Sequence, residues 1–146
     1  MAAKLRQWNT PTAELLRVAE SGDVDELLRL LPGVDDINAR NRHGTTALMK
    51  AAFLGHEPMV RALLQHGADP NLSRNDRFTA LALAAFFGHG ETVKALIEYG
   101  AKTEAVTRAG ASALTWAKLR TFDEVARCLE AYAPKPVRAT PTPVRN

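Results

Sequence analysis

Apolar residues fall along this chain in short bursts at helical spacing, separated by glycines and polar turns. One burst holds Ala47, Leu48, Ala51 and Ala52, and the next holds Met59, Val60, Leu63 and Leu64. Thr46 stands where a side-chain oxygen would cap a helix start, and Gly55 where a left-handed residue would end one. Pro58 suits a first helical turn and Gly67 stops the second helix. Ala68, Asp69, Pro70 and Asn71 then lead through a polar extended turn. The pattern predicts pairs of short antiparallel helices joined by long turns.

The same pattern returns every 33 residues. The stretch beginning at Gly44 aligns without a gap on the stretch beginning at Arg77. Thr46, Thr79 and Ser112 recur in step, as do Ala47, Ala80 and Ala113, and Leu48, Leu81 and Leu114. Going backwards, Leu15 falls under Leu48, Gly22 under Gly55 and Asn38 under Asn71. Four units follow, at about 11–43, 44–76, 77–109 and 110–133, after a lead-in over 1–10 and before a tail over 134–146. Paired alanines let the two helices of a unit approach closely. The valine and leucines of the second helix face the neighbouring unit, so no unit buries its apolar face alone.

The segment TTALMKAAFLGHEPMVRALLQHGADPN resembles the ankyrin repeat, with its G-x-T-P-L-H-x-A-A-x-x-G-H and V-x-x-L-L-x-x-G-A-D-x-N signatures. The resemblance implies an all-α solenoid of stacked helix-turn-helix units with hairpin fingers projecting from one edge. Several positions depart from the family pattern. Its proline is Ala47, Ala80 and Ala113 here, and its histidine is Met49, Ala82 and Thr115. The usual hydroxyl-to-histidine tether is therefore absent, and the turns must be held some other way if they are rigid. Arg77 replaces a glycine that Gly44 and Gly110 keep. In the last unit Thr121 and Phe122 replace Gly-His, while Lys118 and Glu130 take apolar positions, as suits an outer face left in water. The first unit has Asp35 and Asp36 before its asparagine and lacks the terminal glycine. Such caps predict a finished four-repeat protein.

A composition of 46% hydrophobic and 24% charged residues is ordinary for a folded domain. Cys128 is the single cysteine, so no internal disulfide can form. The start has no apolar run of signal-peptide length and no stretch approaches a membrane span. A cytoplasmic setting is expected, with the nucleus as an alternative. Lys135, Arg138 and Arg145 lie in the last 13 residues with no acid, leaving the first 133 with 16 bases against 16 acids. The net charge of +3 thus belongs to the tail. That tail repeats PKPVR as PTPVR and reads as a disordered end, or as a proline-rich recognition segment.

No catalytic, cofactor-binding or metal-binding constellation emerges. His56 and His89 share one repeat position, for which the resemblance implies a structural role. His43 and His66 have no companions at zinc-ligand spacing. Cys128 shares an apolar stripe with Val125 and Leu129 and reads as an inert buried thiol. Gly88-His89-Gly90 is a helix break, with no Lys-Ser/Thr to complete a phosphate loop. An enzyme is not expected.

The resemblance implies instead a concave binding face built from the fingers and the open side of the first helices. The variable positions there are Phe53 and Leu54, Phe86 and Phe87, and Leu119 and Arg120. The fingers add Arg42, His43, Thr45, Asn75, Asp76, Phe78, Arg108 and Ala111, and Tyr99 is expected to border the same groove. Phe53, Phe78, Phe86 and Phe87 either form an interface hot region or partly cover the adjacent fingers. Arg40, Arg42, Arg74, Arg77 and Arg108 line one edge and point to an acidic partner, or to nucleic acid. The expected function is a protein-interaction module (scaffold, adaptor or competitive inhibitor), monomeric when alone, that binds an acidic or apolar segment of a protein partner. The alternatives are a nucleic-acid-binding adaptor and an enzyme with an unrecognised site.

Overall fold

The computed structural model describes residues 11–132; the lead-in and the proline-rich tail lie outside the described residues. Four helix pairs follow one another: α1 (Pro11–Ser21) with α2 (Val24–Leu30), α3 (Ala47–Leu54) with α4 (Glu57–Gln65), α5 (Ala80–Phe86) with α6 (Gly90–Glu98), and α7 (Ala113–Leu119) with α8 (Asp123–Tyr132). A short 3-10 turn over Leu31–Gly33 ends the first pair, where the two middle units use Gly67 and Gly100.

The first helices of the last three units start for the predicted reason. The side-chain oxygens of Thr46, Thr79 and Ser112 accept from the backbone N–H groups of Met49, Ala82 and Thr115, satisfying a donor that the helix itself leaves open. At the other end of α3, Gly55 is left-handed at φ 72°. Its N–H bonds to Ala52 O and the next N–H, of His56, to Ala51 O, closing the helix. Thr121, which stands at the same position after α7, is driven to φ 61° by the same closure.

The first helices pack on one another in an inner layer, α1 on α3, α3 on α5 and α5 on α7. The second helices form an outer layer. Between them runs one continuous core. Ala51, Ala52, Ala84, Ala85 and Ala117 are fully buried at the close inner contacts, and Val60, Leu63, Val93 and Leu96 fill the space behind. Burial of each unit's second helix against the next makes the stack cooperative. On the outer face of the last pair, Lys118 and Glu130 form an ion pair at 2.8 Å. That face is polar where an inner unit would be apolar.

The fingers are held by side chains the repeat pattern carries in step. Asn38 Oδ1 accepts from the Asp69 N–H, and Asn71 Oδ1 from the Lys102 N–H, each at 2.8 Å. Asn41 Oδ1 accepts from the N–H groups of His43 and Thr45 within the first finger. Backbone bonds then strap finger to finger: Asn75 N–H donates to His43 O and Arg108 N–H to Asp76 O, both at 3.1 Å. This asparagine and main-chain ladder joins each finger to the next.

Candidate functional site

The open side of the inner layer changes character along the stack. Positions one repeat apart there are Arg17, Lys50, Leu83 and Trp116, and one turn later Glu20, Phe53, Phe86 and Leu119. At these positions the first two units carry charge and the last two apolar side chains, of which Leu83 is buried and Leu119 open, with Phe53 at the change. Arg17 is neutralised within its own unit by Glu14 and Glu26.

On the apolar half the rings form one connected cluster. Phe53 meets Phe87 edge to face at 4.6 Å between centroids, Phe87 meets Phe86 at 4.9 Å, and Phe86 meets Phe78 at 6.0 Å. Trp116 stacks on Phe78 at 5.6 Å and meets Phe86 at 5.2 Å. Such pairings are favourable geometries for aromatic quadrupoles. The guanidinium of Arg120 covers Phe86 at 4.7 Å, and that of Arg74 lies 5.5 Å from the Phe78 centroid.

The rings divide into two kinds. Phe53 and Phe87 are 39% and 36% exposed, and Leu54 and Leu119 beside them are also open. Phe78 and Phe86 are half-buried, because the finger carrying Phe78 folds over the end of α5 and Trp116 closes the far side. Phe53 and Phe87 are thus the open rings, and Phe78 and Phe86 are the ones that pack between finger and helix. Trp116 was missed from sequence, although its register with Lys50 and Leu83 places it on this face. Its Nε1 is buried with no hydrogen-bond partner among the described residues.

Toward the fingers the face deepens into a cleft of about 390 Å³, lined by Asn41, His43, Thr45, Lys50, Arg74, Asn75 and Asp76. A neighbouring cleft of about 160 Å³ shares Thr45, Lys50 and Arg74 and extends the floor to Met49, Phe53 and Leu83. Asp76 is ion-paired with Arg74 and also accepts from the Phe78 N–H. The Arg74 hydrogen bond holds its carboxyl below the usual aspartate range, against the opposing effect of partial burial. Lys50 meets no carboxylate within ion-pair distance among the described residues. The two clefts thus join an uncompensated ammonium to the edge of the aromatic cluster.

The other expected site residues take varied places. Arg42 is exposed on its finger and donates from Nε to His43 Nε2 at 3.2 Å. Asn75 donates from Nδ2 to Arg42 O, so it serves the finger ladder as well as the cleft. Arg108 is exposed on the following finger. Tyr99 stands apart: it caps α6 in the outer layer, and no ring contact joins it to the phenylalanines among the described residues. The expectation that it borders the groove is corrected by the layer to which its helix belongs. Cys128 is half-buried and burial pushes its thiol pKa up, which makes it a poor nucleophile. Among the described residues no group of three or more His, Cys, Asp or Glu side chains could hold a metal ion. None of the described helices is long and apolar enough to cross a membrane.

Comparison with known proteins agrees with this architecture. A family model for ankyrin repeats (3 copies) matches residues 15–107, well over half of the chain, and the chain belongs to the ankyrin-repeat family. Over 58 residues, 40% of the chain, it is 48% identical to the bovine (Bos taurus) protein named mitochondrial disaggregase, of which the match covers 9%. The human protein of the same name is 47% identical over 58 residues, and 8% of it is covered. Human ankyrin repeat domain-containing protein 29 is 51% identical over 45 residues, 30% of the chain and 15% of that protein. The chain thus spans 15% or less of the length of these curated relatives. Ankyrin repeats serve as protein–protein interaction modules and are typically not enzymes, which sets the coarse class of function.

Proposed function

We propose that this chain binds a segment of a partner protein in the concave face of its second and third repeats. The observation that carries the reading is the pair of open rings, Phe53 and Phe87, held edge to face at 4.6 Å beside Lys50, which pairs with no carboxylate among the described residues. Large rings left in water cost hydration free energy, and on a rigid concave scaffold they are anchors for an apolar side chain. The action is steric: the groove holds the partner segment and so scaffolds it or denies it to a competitor. The protein works as a monomer, and its setting is cytoplasmic, in keeping with a single cysteine that has no internal partner.

Site-specific photocrosslinking in the native cell tests this reading. A benzophenone side chain at position 87 should capture a discrete protein, whereas the same group at position 127, on the outer helix α8, should not. Equal capture from both positions, or from neither, contradicts the proposed groove.

A further inference from the structure

The finger edge carries a charge the fold does not ask for. Arg77 has a left-handed backbone at φ 66°, where the equivalent residues of the neighbouring fingers are Gly44 at φ 78° and Gly110 at φ 76°. Glycine adopts this conformation freely, while a side chain there crowds the following carbonyl oxygen. Arg77 is also exposed, and no carboxylate pairs with it among the described residues. Its neighbours compound the cost. Arg42 and Arg108 are exposed and without ion pairs among the described residues, and the finger straps from His43 O to Asn75 and from Asp76 O to Arg108 fix all three on one edge. Arg74 differs, since Asp76 already neutralises it.

A strained backbone and a row of like charges both work against folding. A ligand of opposite charge relieves the repulsion and gives the strained arginine a use. We infer that Arg77, with Arg42 and Arg108, reads acidic side chains on the partner segment whose apolar residue sits at Phe53 and Phe87. This deepens the proposed groove and rests on it. The partner chemistry is a peptide with aspartate or glutamate flanking a large apolar residue. Nucleic acid fits less well, because the first 133 residues carry equal numbers of bases and acids and offer no broad basic surface.

The test uses a displayed library of random 12-residue peptides selected against the full chain and against Arg77→Gly, Arg108→Glu and Phe53→Ala/Phe87→Ala. Peptides enriched on the wild type should combine acidic and large apolar residues. An enriched acidic peptide, resynthesised, should bind Arg77→Gly about three-fold and Arg108→Glu about ten-fold more weakly at low salt. Arg77→Gly should at the same time melt about 2 °C higher, since the strain is gone. A weaker binder that is a more stable protein is the signature of a residue kept for its ligand. Enrichment of neutral apolar peptides that need Phe53 and Phe87 but ignore Arg77 overturns the inference and leaves the groove standing. Failure to enrich any peptide overturns both. A labelled 20-nucleotide single strand that binds more tightly than the acidic peptides, and loosens on Arg77→Gly, overturns the inference in favour of nucleic acid.

Discussion

His89 spans the boundary between the second and third repeats, its Nε2–H donating to the carbonyl oxygen of Phe53 at 3.0 Å. His56 makes the same link to Glu20 O one repeat earlier, also at 3.0 Å. Each acceptor lies near the end of a first helix, where carbonyls lack helical partners. The ring of His89 also lies against Gly55, close enough that a methyl group there would come within 2.5 Å of it. The family's Gly-His pair is thus a clasp between neighbouring units, and it fixes the stretch of chain that presents Phe53.

Gly55→Ala should break that clasp. It adds a left-handed backbone cost to a steric collision, and we expect a loss of about 2–4 kcal/mol. Gly67→Ala, also at positive φ but with open space around it, should lose only about 1 kcal/mol. Urea unfolding of the two variants checks the difference; equal losses would show that the ring contact is unimportant.

Thr121→Gly should stabilise the protein. A β-branched residue at φ 61° is strained, and relief should add about 1 kcal/mol, less the extra freedom glycine gives the unfolded chain. A higher melting temperature is the expected reading, and a lower one would mean that the threonine hydroxyl, bonded to Arg120 O at 2.6 Å, outweighs the strain.

Acid should loosen the middle finger. The Asp76 carboxyl is held below its ordinary range by Arg74, so its contribution to stability is complete above the unfolded aspartate pKa of about 4. That contribution is lost as pH falls through the lower folded value. The pair is partly exposed, so the effect is small and local. Carboxyl chemical shifts should place the Asp76 titration below those of exposed aspartates, and Arg74→Ala should move it up. An unchanged titration would remove the ion pair from the account.

Lys118→Leu/Glu130→Leu should convert the last outer face into an unmatched apolar one. The lost ion pair is exposed and contributes little, so melting should change by only about 1–2 °C. Association that grows with concentration in sedimentation should appear instead. A variant that stays monomeric would argue against a capping role for this pair.

The start and end of α3 were legible because each depends on neighbours in sequence: Thr46 caps the helix it precedes, and Gly55 ends the one it follows. The exposure of the phenylalanines was not. Phe86 and Phe87 are adjacent, yet one faces the finger and the other water, and the difference depends on Phe78 and Trp116 from other segments. Likewise, Arg74 and Arg77 read as equal members of a basic edge until Asp76 is seen to pair with the first. Tyr99 was misplaced because it ends a second helix, and the second helices form the layer away from the first helices and their groove.

The central claim is that Phe53 and Phe87 are binding anchors and not core, and one paired measurement on Phe53→Ala/Phe87→Ala tests it: melting temperature, and affinity for the captured partner, on the same samples. Phe86→Ala is the control, expected to lose about 2–3 kcal/mol of stability because its half-buried ring joins finger to helix. The double variant should lose less, about 1–2 kcal/mol, for the ring contacts of Phe53 with Phe87 and of Phe87 with Phe86 and His89. Its affinity should fall by about 2 kcal/mol or more, roughly thirty-fold. A double variant that unfolds as readily as Phe86→Ala, or binds as tightly as the wild type, would contradict the account.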